Sequence, residues 1–178
     1  MRNNPFMIYF GQELGEEGMY EEGFSGRDGR TTIFDYWTID SIRRYRNGQL
    51  SDSEKSLREF YHKVLSLCNE KPAIREGRFF DLMYANYQNP LMDTNHEYAF
   101  LRHTDGQLMI VIANFEDKSV DMGLNIPRHA FDYLGFTPGI YDSVEMLTGD
   151  KRRIHLEPDG LINLILPPLS GMVIEVNV

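Results

Sequence analysis

The stretch Tyr9-Phe10-Gly11-Gln12-Glu13-Leu14-Gly15-Glu16-Glu17-Gly18 sets carboxylates directly behind an apolar run, Phe6–Phe10. Three roles are open to Glu13: a catalytic acid, an oxygen ligand to a metal, or a structural carboxylate closing a buried strand. Glu16, Glu17, Glu21, Glu22 and Asp28 follow within a short distance. They carry the oxygen donors that calcium takes, but their spacing is not that of an EF-hand loop, and a solvated acidic loop is the simpler reading. Gly23-Phe24-Ser25-Gly26-Arg27 has the outline of a nucleophile elbow. It lacks the second glycine, no strand leads directly into it and no helix follows at once, so it reads as a turn.

Other chemistries fare no better. His62, His96, His103, His129 and His155 show no zinc-binding HExxH spacing and read as surface or strand residues. No phosphate-cradling loop occurs. The single cysteine, Cys68, excludes an internal disulfide and a Cys-based zinc site.

The elements that would position these groups differ along the chain. With 178 residues, 42% of them hydrophobic, the chain can bury an ordinary core as one domain, or one domain with an appendage. A net charge of -9 argues against a sequence-independent nucleic-acid binder, which needs clustered Lys and Arg. Arg43-Arg44-Tyr45-Arg46 is the one basic cluster holding an aromatic, and it reads as a solvated loop or helix end. No stretch approaches the roughly 20 apolar residues of a membrane span, and residues 1–10 lack a signal-peptide pattern.

From Gly11 to Gly48 the chain is glycine-rich, acidic and aromatic with little periodicity, which in a compact domain marks a functional loop or one missing its supporting partners. Beyond it the patterns are regular. Ser51 or Asp52 can cap a helix through Asn69, with Leu57, Phe60, Tyr61, Val64, Leu65 and Cys68 on one apolar face and Cys68 expected as a buried thiol. The period then changes from 3.6 to 2. Residues 97–103 and 107–114 flank Asp105-Gly106, a dipeptide that readily supplies the two positive φ angles of a tight hairpin turn. Residues 119–126, 161–166 and 172–178 alternate as half-buried strands, and 79–85 and 142–147 are further candidates. A short helix after Pro127, through Ala130, Phe131 and Leu134, should stop at Gly135. Several short strands separated by turns predict a mainly β chain, an antiparallel sandwich.

Taken together, "PFMIYFGQELGEEG", "GFSGRDGRTTIFDYW", "LREFYHKVLSLCNEKPAIREG" and "YAFLRHTDGQLMIVIANF" resemble, in that order, the C-terminal part of α-amylase-family glycoside hydrolases. The first block is similar to the last strand of the family's (β/α)8 barrel. The helix block resembles the passage to the C-terminal, Greek-key β-sandwich, and the last block its opening hairpin. The resemblance implies a barrel remnant with one long helix over residues 1–75 and the sandwich over 76–178. It makes Gly11, Gln12, Glu13 and Gly15 structural residues at the end of the barrel strand.

In that family an aspartate nucleophile, a glutamate acid/base and a second aspartate lie on earlier barrel strands and give a retaining mechanism. None of those motifs occurs here. The resemblance therefore implies a fragment without catalytic residues, inactive alone, of a parent acting on α-glucans or maltooligosaccharides. Calcium is an option in such a parent, whose location stays open and is compatible with secretion or the periplasm.

In the loop, Tyr20, Phe24, Tyr36 and Trp37 offer flat faces for pyranose stacking, and Asp28, Arg30 and Asp35 offer hydrogen bonds to hydroxyls, against the alternative of burial in the fragment's own core. The exposed remnant, Phe6–Phe10, would favour self-association. Two other readings compete: an autonomous, non-catalytic carbohydrate-binding sandwich, and a small enzyme of unrelated mechanism, for which no constellation is found.

Overall fold

The computed structural model describes residues 7–9, 11–16 and 39–178. The described residues fall into two compact units, one ending at Ser66 and one spanning Leu67–Val178.

In the first unit, a 3₁₀ turn at Gln12–Leu14 precedes helix α1, Asp40–Arg46. The basic cluster forms the end of α1, with Arg43, Tyr45 and Arg46 exposed. Helix α2 spans Asp52–Glu70. Its start is set by a reciprocal cap: the Glu54 backbone N–H donates to Ser51 Oγ at 3.2 Å, and the Ser51 N–H donates to Glu54 Oε2 at 2.7 Å. Leu57, Tyr61, Val64 and Leu65 are half-buried as the spacing predicted, whereas Phe60 is exposed. Cys68 is also exposed, contrary to expectation. The buried position is Leu67, and one residue along a helix turns a side chain about 100° away from that position.

The second unit carries the sandwich. Pro72 ends α2 and opens α3, Pro72–Arg75, where its missing N–H costs nothing at the first helical position. Then follow β1, Arg78–Asp81; α4, Met83–Asn86; β2, Glu97–Thr104; β3, Gln107–Asn114; β4, Val120–Ile126; α5, Arg128–Leu134; β5, Gly139–Glu145; β6, Lys151–Leu156; β7, Gly160–Leu166; and β8, Ser170–Val176. Every pairing is antiparallel. One sheet has the order β1-β2-β3-β8-β5-β6, and β4 pairs with β7 in the other. The described strands form open sheets and no barrel, so the expected antiparallel sandwich is what the chain builds.

Inward residues from both sheets make one core. Leu101 and Ile110 are register partners, as are Ile110 and Ile174, and Leu124 and Ile162 face them from the second sheet's own pair. Leu101, Ile110, Leu124 and Ile174 are all at 0% exposure, each burial contributing roughly 1.5–3 kcal/mol. Beneath α3, Arg102, Met109 and Glu175 lie side by side across three strands. Arg102 donates to the Ala73 and Ile74 carbonyls at 3.1 and 2.5 Å, satisfying the end of α3, and Lys71 pairs with Glu175 at 2.8 Å.

Three local expectations need correction. The strand foreseen over 79–85 ends at Asp81, whose Oδ1 accepts the Met83 N–H at 2.8 Å and turns the chain into α4. In the β2–β3 turn only Gly106 takes a positive φ, 79°; Asp105 does not, so the turn is not the doubly left-handed type. Met7, Ile8 and Tyr9, read as part of a strand, pair with no strand among the described residues. A strand is defined by its ladder, and an apolar run alone does not supply one.

Candidate functional site

Two left-handed glycines shape the turn that carries Glu13. Gly11 has φ 77° and Gly15 φ 73°, and a Cβ on Gly11 would come within 2.9 Å of the Glu16 Cβ. Between them the backbone closes on itself: Leu14 N–H donates to the Gly11 carbonyl at 2.9 Å and Gly15 N–H to that of Gln12 at 3.1 Å. Gln12 ties the turn down, its Oε1 accepting the Tyr9 N–H at 3.1 Å and its Nε2 donating to the Tyr61 hydroxyl on α2 at 2.8 Å. Leu14 is buried and Glu13 half-buried. Gly11, Gln12, Glu13 and Gly15, expected as structural residues at the end of a barrel strand, lie in one turn, with no hydrogen bond to the Glu13 carboxylate among the described residues.

Glu13 borders a recess of about 640 Å³ with Tyr9, Tyr45, Arg58, Tyr61 and His62. Arg58 lies over the Tyr45 ring at 4.8 Å from its centroid and donates to its hydroxyl at 3.2 Å. Among the described residues Glu13 is the one carboxylate lining this recess. Glycoside hydrolysis needs two carboxyl groups, about 5 Å apart for retention and about 6.5–9.5 Å for inversion, so these residues can bind and orient but do not form a hydrolytic pair. Nearby, Glu16 accepts a hydrogen bond from the Ser41 hydroxyl at 2.6 Å. Arg44 clamps Glu54 at 2.5 Å; that bond, with the Ser51 N–H, holds the Glu54 carboxyl down at about 2.

The seven residues expected to contact sugar, Tyr20, Phe24, Asp28, Arg30, Asp35, Tyr36 and Trp37, lie outside the described residues, as do Glu17, Glu21, Glu22 and the segment 23–27. Of the carboxylates considered for calcium only Glu16 is described, and one of its oxygens already serves Ser41.

One group of metal-ligating side chains was not expected. His96 Nδ1 lies 2.9 Å from both Asp93 Oδ2 and Glu116 Oε1. The three ligand atoms all lie within 4.8 Å of one another. The Asp93 hydrogen bond, then the Glu116 charge, raises the imidazole pKa, so the group behaves as an ion-paired clamp between the start of β2 and the end of β3. Asp93 and His96 stand three residues apart and could have been noticed in the sequence, but Glu116 arrives only through the hairpin.

No protein-family model matches the chain, and no curated protein matches it. Solved structures do. AmyP in complex with maltose is similar with a TM-score of 0.56 and 15% identity, over 93% of this chain and 30% of that chain. A glutamate-to-glutamine variant of AmyP in complex with maltotriose gives 0.51 and 13%, over 85% and 25%. The α-amylase from Geobacillus thermoleovorans complexed with acarbose gives 0.50 and 18%, over 92% and 28%. At these identities the likeness is one of fold: the chain has a fold found within α-amylase-family glycoside hydrolases, as its motifs implied. It spans less than a third of the length of these three structures.

Proposed function

We propose that this chain is the C-terminal portion of an α-glucan-active, retaining glycoside hydrolase of α-amylase type. Residues 1–75 complete the catalytic barrel in the parent, and residues 76–178 form its C-terminal sandwich. The observation that carries the reading is the match in fold of nearly the whole chain, 92% of it, to 28% of an α-amylase structure. In the parent, the Gly11–Gly15 turn closes the barrel near its active face, where such barrels, of about 250 residues, carry their catalytic groups. The carboxylates for an oxocarbenium-like transition state come from other strands, and the chain alone is inactive. Tyr20, Phe24, Tyr36 and Trp37 line the sugar cleft, with Asp28, Arg30 and Asp35 bonding hydroxyls.

The coding sequence upstream of Met1 tests this. An open frame encoding barrel strands with an aspartate nucleophile and a glutamate acid/base, whose product releases reducing sugar from maltooligosaccharides while the present chain does not, supports it. Hydrolysis by the present chain, or an upstream frame without such strands, overturns it. In the full enzyme, Trp37→Ala is expected to weaken glucan affinity and rate; unchanged kinetics would remove the cleft assignment.

A further inference from the structure

The sandwich carries an aromatic recess of about 630 Å³ on its own surface, within the range of about 300–1,000 Å³ usual for ligand sites. Three elements converge there. β1 supplies Phe80 and Asp81, α4 supplies Tyr84, and α5 supplies His129, Asp132 and Tyr133. On α5 the last three stand at i, i+3 and i+4 and share one face, while Ala130, Phe131 and Leu134 turn into the core.

Phe80, 9% exposed, is the floor, with its ring centroid 6.1 Å from Tyr84, 5.2 Å from His129 and 6.0 Å from Tyr133. Tyr84 and Tyr133 form the walls and remain 47% and 52% exposed. The Tyr84 hydroxyl is hydrogen-bonded to His129 Nε2, which fixes its ring. Asp132 makes no hydrogen bond or ion pair among the described residues, and Asp81 uses one oxygen for Met83. Acceptors therefore stand free at the rim of an apolar floor. α5 is itself pinned by Arg78, whose guanidinium donates to the Tyr133 and Leu134 carbonyls.

We propose that this recess is a second sugar-binding site, taking a neutral pyranose segment of an α-glucan apart from the catalytic cleft; the choice of α-glucan rests on the function proposed above. Pyranose rings present a C–H face that packs on aromatic rings and an equatorial girdle of hydroxyls that donates to carboxylates. The Arg78 guanidinium already lies 5.6 Å from the Tyr133 centroid, so that ring is partly engaged by a cation of the protein's own. Beyond the contacts that Tyr84 makes with His129 and Tyr133 with Arg78, both rings keep about half of their surface open above Phe80.

The full chain, titrated with maltoheptaose and read by backbone amide NMR, is the test. Saturable shifts over residues 80–84 and 129–133 are expected. Tyr84→Ala and Tyr133→Ala should each weaken binding about tenfold, the usual cost of truncating an aromatic anchor. Asp132→Ala removes an exposed group that supports no fold contact, and should weaken binding severalfold with an unchanged melting temperature. Binding lost in Trp37→Ala but intact in the recess variants would overturn the proposal and leave the enzyme reading standing. Absence of any response to glucan, or saturation of the recess by tetramethylammonium with none by sugar, would overturn it as well. None of these three outcomes bears on the upstream coding sequence, so the two readings fail separately.

Discussion

Gly77 lies between the end of α3 and the edge of the large sheet, where a Cβ would come within 2.3 Å of the Ala73 carbonyl oxygen and 2.6 Å of that of His103. Both obstacles are backbone and cannot swing aside. Gly77→Ala should cost about 3 kcal/mol, read as a shifted denaturant midpoint with an unchanged slope. His103 presents a pH dependence. Its ring is buried, Nδ1 has no hydrogen-bond partner among the described residues, and burial, then the Arg78 guanidinium, holds its pKa below the ordinary 6.5. As pH falls, the unfolded chain takes the proton first, so stability held above about pH 6.5 is lost as pH drops towards the folded value. His96 works in the opposite sense: its raised pKa contributes stability below about 6.5 that is lost as pH rises through the folded value. Melting curves across this range should fall less steeply on the acid side for His103→Gln than for the unaltered chain. An identical slope would show that His103 does not titrate.

At the scale of elements, the Ser51 cap decides where α2 begins. Ser51→Ala removes the acceptor for the Glu54 N–H and should cost about 1 kcal/mol, with loss of helicity by circular dichroism at low denaturant. A cap effect below a few tenths would show that α2 is held by its packing alone. Most elements were legible because their periodicity survives in the sequence: the β2–β3 hairpin, α2, α5 with its left-handed Gly135, and the alternation of Met122, Leu124 and Ile126. β6 was not named, because Ile154 and Leu156 alone point inward while Lys151, Arg152, Arg153 and His155 face solvent on an edge strand. Charge on an edge strand discourages foreign pairing and also erases the hydrophobic pattern. α4 was missed for a different reason: a run of apolar residues reads equally as strand or helix until a side chain such as Asp81 redirects the backbone.

For the molecule as a whole, Met7 is 79% exposed in the apolar run expected to meet a barrel. Sedimentation should reveal concentration-dependent association that Met7→Lys reduces, and a monodisperse monomer at all concentrations would count against it. The sequence by itself determined the β class, the hairpin and the long helix, because these depend on local periodicity and on the turn residues between the periodic segments. It also carried, through the order of its motifs, the likeness to amylase structures. Only the tertiary structure decided which strands share a sheet, that Glu116 meets His96, and that Phe80, Tyr84 and Tyr133 gather from three elements into one recess. Those juxtapositions join residues far apart in the chain, and nothing in local spacing encodes the distance between them once the core has closed.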